Sequence, residues 1–309
     1  MKKYSFIVNP AAGRFRLEQI LEQIKSACRL KNILFEIYTT HSPGHAGILA
    51  EKIINEEGST HIISVGGDGT LNEIINGLPH SPKQNDIVVG IIPTGSGNDF
   101  IKNLNYPNKI KDVIDFILSD NYKIKSTRAG IVEYKELNSN ISTKRFINAA
   151  GIGFDAYVAY LKQRNKLFSG IVSYIAAVLK ALKDLQFLKC TINIDDNLIE
   201  KEVVLLTAGN GVCSGGGFYL TPGGNPFKPK LDFTLIDRCR KSYILRNLPK
   251  ALINKLQEVP EAYFFEFEAL SVKLEQPYYL HADGEIISTT VTELNIKADV
   301  NYIKFITGD

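Results

Sequence analysis

The sequence predicts an α/β protein in two parts: a three-layer domain built on a parallel sheet, then a domain made mainly of antiparallel strands. Three observations carry this. In the first third of the chain, apolar β-branched runs alternate with amphipathic helical patterns. Three of those runs end in loops rich in small residues, around Asn9, Asp68 and Thr94. Near residue 121 short strand-like segments with turn signals take over.

Tyr4–Val8 is an apolar strand stopped by Pro10, and the loop Asn9-Pro10-Ala11-Ala12-Gly13-Arg14 admits a ligand or another backbone. Leu17, Ile20, Leu21 and Ile24 mark the first helix, and Ile33–Tyr38 the second strand. Ile48, Leu49, Ile53 and Ile54 form the apolar side of a helix over Gly44–Ile54. Ile62–Val65 is a buried strand that ends in Gly66-Gly67-Asp68-Gly69-Thr70, after which Leu71, Ile74, Ile75 and Leu78 recur at helical spacing. A helix that opens on a glycine turn offers unpaired N–H groups and a positive dipole end, which suits phosphate. Asp68 in that turn would repel bare phosphate. It reads either as a cap or as a partner for Mg²⁺ or a substrate hydroxyl. Ile87–Ile92 is the next strand and leads into Pro93-Thr94-Gly95-Ser96-Gly97-Asn98-Asp99-Phe100. Ligands of parallel sheets gather beyond the carboxyl ends of the strands, so the three loops are expected to converge.

Beyond a boundary near residue 127, strands are expected at Ile131–Tyr134, Lys144–Ala149, Thr191–Ile194, Val203–Ala208, Leu231–Ile236, Tyr263–Phe267, Ser271–Leu274 and Tyr278–His281. Helices are expected over Asp155–Tyr174, continuing to Leu188, and over Ile244–Gln257. This pattern fits a sandwich or a barrel. In His281-Ala282-Asp283-Gly284-Glu285 the Asp-Gly pair reads first as a hairpin turn. Its two carboxylates can also position a base and hold a metal. His281, beside Asp283, reads as a residue that tunes the base or, more often for a lone turn histidine, as a surface residue, and the basic run Lys162, Arg164, Lys166 reads as a solvated helix face or a contact for anionic headgroups.

A composition of 44% hydrophobic and 22% charged residues excludes disorder, and a net charge of +3 is too small to indicate nucleic acid. Cys28, Cys190, Cys213 and Cys239 are scattered, without metal-like spacing, as expected of reduced thiols in the cytoplasm. Met1-Lys2-Lys3-Tyr4 passes directly into a strand-like run, leaving no room for a signal-peptide core. No apolar run approaches the roughly 20 residues that span a bilayer. A lipid substrate would therefore be met at the inner face of the membrane.

Taken in order, Asn9-Pro10-Ala11-Ala12-Gly13, Gly66-Gly67-Asp68-Gly69-Thr70 with Glu73 and Asn76-Gly77-Leu78, Pro93–Phe100, Gly151-Ile152-Gly153-Phe154-Asp155, Gly215-Gly216-Gly217-Phe218 and Asp283-Gly284-Glu285 form a series. The series resembles the diacylglycerol kinase catalytic-domain family, whose domain sphingosine and ceramide kinases share. The resemblance implies an ATP-binding domain over residues 1–127, joined by a last strand at about 300–309, and a β-sandwich lipid-substrate domain over 128–299. It places the active site in the cleft between them. ATP and Mg²⁺ are the implied cofactors, and diacylglycerol or a related glycerolipid is the implied acceptor. A homodimer through an exposed sandwich edge is compatible with it.

By the same resemblance Asn9 and Gly13, then Gly66, Gly67, Gly69, Thr70 and Glu73, then Thr94, Gly95, Ser96, Asn98 and Asp99 bind ATP. Lys166, in the pattern Lys166-x-x-x-Gly170-x-x-x-Tyr174, is expected near the cleft. Asp68 acts near Mg²⁺ and the phosphates, Asp283 is the general base, and Glu285 supports it or holds the metal. Two departures stand out. Phe227-Lys228-Pro229-Lys230-Leu231-Asp232 replaces an acidic turn tied to a second, structural metal, and Arg128 stands about where many relatives have Asp. The competing readings are an NAD kinase-like enzyme and a catalytically idle nucleotide- or lipid-binding protein.

Overall fold

The computed structural model describes residues 2–13, 16–56, 59–81, 86–137, 139–164 and 170–308, the side chains of 170–174 excepted. In chain order the first elements are β1 (Lys3–Val8), α1 (Leu17–Leu30), β2 (Leu34–Thr39), α2 (His45–Glu56), β3 (His61–Gly66), α3 (Asp68–Gly77), β4 (Val88–Pro93), α4 (Ile110–Ile117) and β5 (Lys123–Thr127). Then come β6 (Gly130–Glu136), β7 (Ile141–Phe146), β8 (Ala149–Gly153), α5 (Phe154–Arg164), α6 (Gly170–Lys183), β9 (Leu188–Ile194) and β10 (Asn197–Gly209). The last are β11 (Leu231–Asp237), α7 (Lys241–Leu252), β12 (Ala262–Phe267), β13 (Ala269–Ala282), β14 (Glu285–Ala298) and β15 (Ile303–Thr307). The chain divides into two compact units, one of Met1–Arg128 with Val300–Asp309, the other of Ala129–Asp299.

The first unit is a six-stranded sheet in the order β2-β1-β3-β4-β15-β5, parallel except where β5 meets β15. Every residue of β3 is buried, as a continuous apolar run in a covered parallel sheet requires. Phe6, Ile63 and Ile306 share a core with Ile24 of α1 and Ile114 of α4, while α2 and α3 pack on each other and on β1 and β3. Neither α4 nor β5 is among the elements expected from the sequence. The helix is only eight residues long, and the strand buries only Thr127.

The second unit is a mainly-β sandwich. Its sheet runs β12-β11-β10-β8-β13-β14-β6-β7, and β9 also pairs with both β10 and β13. One core holds Phe146, Ile152, Ile192, Leu206, Phe233 and Leu280. α5 and α6 pack with Val204 and Leu205 of β10 in a separate cluster.

Several expected elements are redrawn. The single strand expected over Lys144–Ala149 breaks into β7 and β8, because the Ile147, Asn148 and Ala149 N–H groups turn to the Asp283 carboxylate. The Gly151-Ile152-Gly153 cluster lies inside β8 and pairs with β10. The two strands expected around Ser271 and Tyr278 are one, β13, whose register slips between Lys273 and Tyr278. Pro277, which has no N–H for the ladder, lies in that interval. The helix expected to run from Asp155 to Leu188 is described as α5 and α6, and α7 ends at Leu252 rather than Gln257. Among the described residues no helix is long and apolar enough to cross a membrane.

Candidate active site

In the first unit the three loops after β1, β3 and β4 meet. Asn9 Nδ2 donates to Thr70 Oγ1 at 3.0 Å, and the Thr94 N–H donates to the Gly66 carbonyl at 2.9 Å. Gly67 and Gly95 touch backbone to backbone: a Cβ on Gly95 would lie 2.5 Å from the Gly67 Cα. Only glycine permits that approach. Gly13, at φ +72°, lies against Thr94 in the same way. Asn98, also left-handed at φ 51°, donates from Nδ2 to the Gly95 carbonyl at 2.7 Å.

Asp68 opens α3 and ties down the third loop. Its Oδ1 accepts the N–H groups of Asp99 at 2.8 Å and Phe100 at 3.2 Å. Gly69 and Thr70 complete the first turn of α3, whose N-terminal end carries the positive side of the helix dipole. The Thr94 hydroxyl is buried and has no hydrogen-bond partner among the described residues, while Ser96 is exposed. Asp99 is buried and pairs with Lys102 at 2.7 Å. Glu73 points elsewhere: its Oε2 accepts the Ala46 N–H in the first turn of α2, at 3.0 Å.

In the second unit, Asp283 and Gly284 form the two-residue hairpin between β13 and β14, with φ 50° and 81°. Consecutive left-handed residues fit the primed hairpin turns that Asp-Gly favours. The Asp283 carboxylate accepts the N–H of Ile147 at 2.8 Å, Asn148 at 2.8 Å and Ala149 at 3.0 Å, and its own N–H returns to the Ala149 carbonyl at 2.7 Å. These bonds fix the carboxylate in space. Glu285 pairs with Ala282 across the turn and is exposed.

Below the turn lies a polar network. His281 is 4% exposed, which corrects its reading as a surface residue. Its Nε2 is 3.1 Å from Asp155 Oδ2, an oxygen that also accepts the Thr207 hydroxyl at 2.5 Å. Strand register explains the grouping, since Thr207, Gly151 and His281 are direct neighbours on β10, β8 and β13. A Cβ on Gly151 would sit 2.3 Å from Asp155 Oδ2, so glycine there makes room for the carboxylate. Asp155 closes the Gly151–Asp155 block of the sequence, where nothing local points to a role for it. Aligning β8 with the His281 segment would have exposed the pair.

Asp155 also lines an apolar cavity of about 70 Å³, together with Phe154, Val178, Leu205, Phe218, Ile236 and Leu248. The region expected to lack the second metal site holds a lysine-centred cluster. Lys228 Nζ reaches Glu266 at 2.8 Å and the Gly223 carbonyl at 3.2 Å, beside a buried Asp232 whose carboxyl is pushed up to about 6 by burial. Arg128 lies over the Tyr302 ring, 6.0 Å from its centre, and Arg164 over Tyr160. Lys166 lies outside the described residues. Among those described, no three His, Cys, Asp or Glu gather as a metal cage. The hard oxygens of Asp68 suit Mg²⁺ held jointly with phosphates, the usual manner for that ion.

Residues 3–128 match the diacylglycerol kinase catalytic domain, and residues 148–300 match the YegS C-terminal NAD kinase beta sandwich-like domain. A Bacillus subtilis (strain 168) protein named "Putative lipid kinase YtlR" is 27% identical, over 94% of this chain and 95% of its own. A protein of Staphylococcus carnosus (strain TM300) named diacylglycerol kinase is 24% identical, over 92% and 89%. A crystal structure of a diacylglycerol kinase from Bacillus anthracis str. Sterne shares the fold with a TM-score of 0.74, at 22% identity over 99% and 97% of the two chains. These matches support a phosphotransferase activity, and with both domains matched in order the chain belongs to the diacylglycerol kinase catalytic-domain family.

Proposed function

We propose that the chain is an ATP- and Mg²⁺-dependent lipid kinase that transfers the γ-phosphoryl group to a hydroxyl of diacylglycerol or a related glycerolipid. One observation carries the lipid half of this reading. Asp155 lines the apolar cavity and is bonded to His281, two residues before Asp283. An apolar site for hydrocarbon thus adjoins the carboxylate turn, in the combination of apolar wall and few polar groups common to ligand sites.

Phosphoryl transfer needs positioning and charge stabilisation more than covalent chemistry. In this reading the backbone N–H groups of the glycine loops and the N-terminal end of α3 hold the phosphates. Asn9, Thr70 and Asn98 fix the loop geometry that presents those N–H groups. Mg²⁺, when bound by Asp68 with the phosphates, neutralises charge on the transferred group. Asp283, oriented by its three N–H donors, receives the proton of the lipid hydroxyl as it attacks, and Glu285 supports it. The lipid is met at the bilayer surface, to which α6 offers exposed Ile175 and Leu179 beside Lys180 and Lys183.

The test is transfer of label from γ-labelled ATP into a chloroform-extractable product, using mixed micelles of diacylglycerol with Mg²⁺. Label in the organic phase is expected. If neither diacylglycerol nor a total lipid extract accepts label while ATP still binds, the lipid-kinase reading is wrong.

A further inference from the structure

We propose that His281 is a positioning residue for the carboxylate turn: held as its Nε2–H tautomer between Asp155 and the Gly284 N–H, it fixes the backbone from which Asp283 and Glu285 act. What the turn does rests on the kinase reading; the hydrogen bonding rests on geometry alone.

The Gly284 N–H donates to His281 Nδ1 at 3.3 Å. A backbone N–H can only donate, so Nδ1 presents a lone pair and the ring proton sits on Nε2. That proton points at Asp155 Oδ2, 3.1 Å away. The other neutral tautomer would set N–H against N–H at Gly284 and a lone pair against a carboxylate at Asp155. A doubly protonated ring repeats the first of these clashes. Asp155 is itself held in place, because it also accepts the Thr207 hydroxyl and, through Oδ1 at 2.8 Å, the Ala156 N–H at the start of α5. The imidazole has little freedom to do otherwise, being 4% exposed with Gly151 at its side.

The consequence is a turn held from two sides. The N–H groups of Ile147, Asn148 and Ala149 hold the Asp283 side chain. His281 holds the next peptide, and through Asp155 connects it to the residue that lines the apolar cavity. His281 acts through the turn, by its contacts with Asp155 and the Gly284 N–H.

Two amides separate the functions of the two ring nitrogens. Asparagine places an oxygen near the Nδ1 position and keeps the bond from Gly284. Glutamine places its amide near Nε2, keeps Asp155 and loses Gly284. The ring-nitrogen spectrum of the ¹⁵N-labelled full chain should show a bare Nδ1 and a protonated Nε2. His281→Gln should lose transfer to diacylglycerol on the order of 10²-fold in kcat, as small misplacements of reacting groups do, with the KM for ATP unchanged. His281→Asn should recover most of that loss. The Gly284 amide should exchange fast in His281→Gln and slowly in His281→Asn. A protonated Nδ1 in the wild type overturns the proposal without any variant having to fold. So does a His281→Gln protein that matches wild type in transfer and in Gly284 exchange. Should wild type label no lipid, the kinase reading fails by itself, and the ring spectrum with Gly284 exchange still decides whether His281 holds the turn.

Discussion

Asp232 shows what a single residue can cost. It is 8% exposed, its Oδ2 has no hydrogen-bond partner among the described residues, and burial raises its carboxyl from 3.8 to about 6. Lys228 pulls the other way without cancelling that burial. A carboxyl whose folded pKa is raised binds its proton more tightly folded than unfolded. Its contribution is therefore most favourable below the unfolded value and declines as pH rises from about 4 to 6. The loss amounts to about 3 kcal/mol by pH 7, at 1.36 kcal/mol per unit. Asp232→Asn should raise the Tm at pH 7, and its gain over wild type should shrink towards pH 4. Melting curves across that range check this; a gain independent of pH would mean that Asp232 is not charged against its surroundings at neutral pH.

At the scale of elements, Glu73 separates a structural role from the ATP-binding one that the family resemblance implies. Its carboxylate accepts a first-turn N–H of α2 from α3, so one helix caps the other. Losing a cap of this kind costs about 1 kcal/mol. Glu73→Ala should therefore lower the Tm while leaving ATP affinity unchanged, as calorimetry and titration would read. A large loss of ATP affinity at constant Tm would return Glu73 to the nucleotide. The same scale shows what was legible in the sequence. β1, β3 and β4 could be read because covered parallel strands are continuous apolar runs closed by glycine or proline. α4 escaped because eight residues give too few helical repeats to stand out. The break between β7 and β8 escaped for a different reason. Nothing in Ile147-Asn148 announces that its N–H groups bond to a carboxylate 135 residues away. The burial of His281 escaped on the same grounds, since it is set by β8, β10 and α5 and by nothing beside it in the chain. Local chemistry was readable in the Asp-Gly turn and the glycine loops; pairing between distant strands was not.

For the whole molecule, the chain enters the second unit after Arg128 and returns to the first at Val300. The first unit is thus incomplete until the end of the chain arrives. β15 lies between β4 and β5, with Ile303, Phe305 and Ile306 fully buried. Phe305 packs on Phe100 with ring centres 4.7 Å apart, and the Gly308 N–H donates to the Leu104 carbonyl at 2.8 Å. The strand therefore backs the segment that Asp68 holds at Asp99 and Phe100. Burying three such side chains contributes roughly 5–9 kcal/mol at 1.5–3 kcal/mol each. That is comparable with the whole stability of a domain, about 5–15 kcal/mol. A chain ending at Asp299 should leave the first unit without a cooperative transition and, on the proposed function, abolish ATP binding. The second unit should retain its own transition, because its core of Phe146, Ile152, Phe233 and Leu280 draws on no residue beyond Asp299. Calorimetry of the truncated chain with and without ATP measures both. Two transitions, one of them still shifted upward by ATP, would show that the four-stranded remnant β2-β1-β3-β4 carries the loops around Asn9, Asp68 and Thr94 unaided. β15 would then be a covering strand rather than part of the frame that sets them.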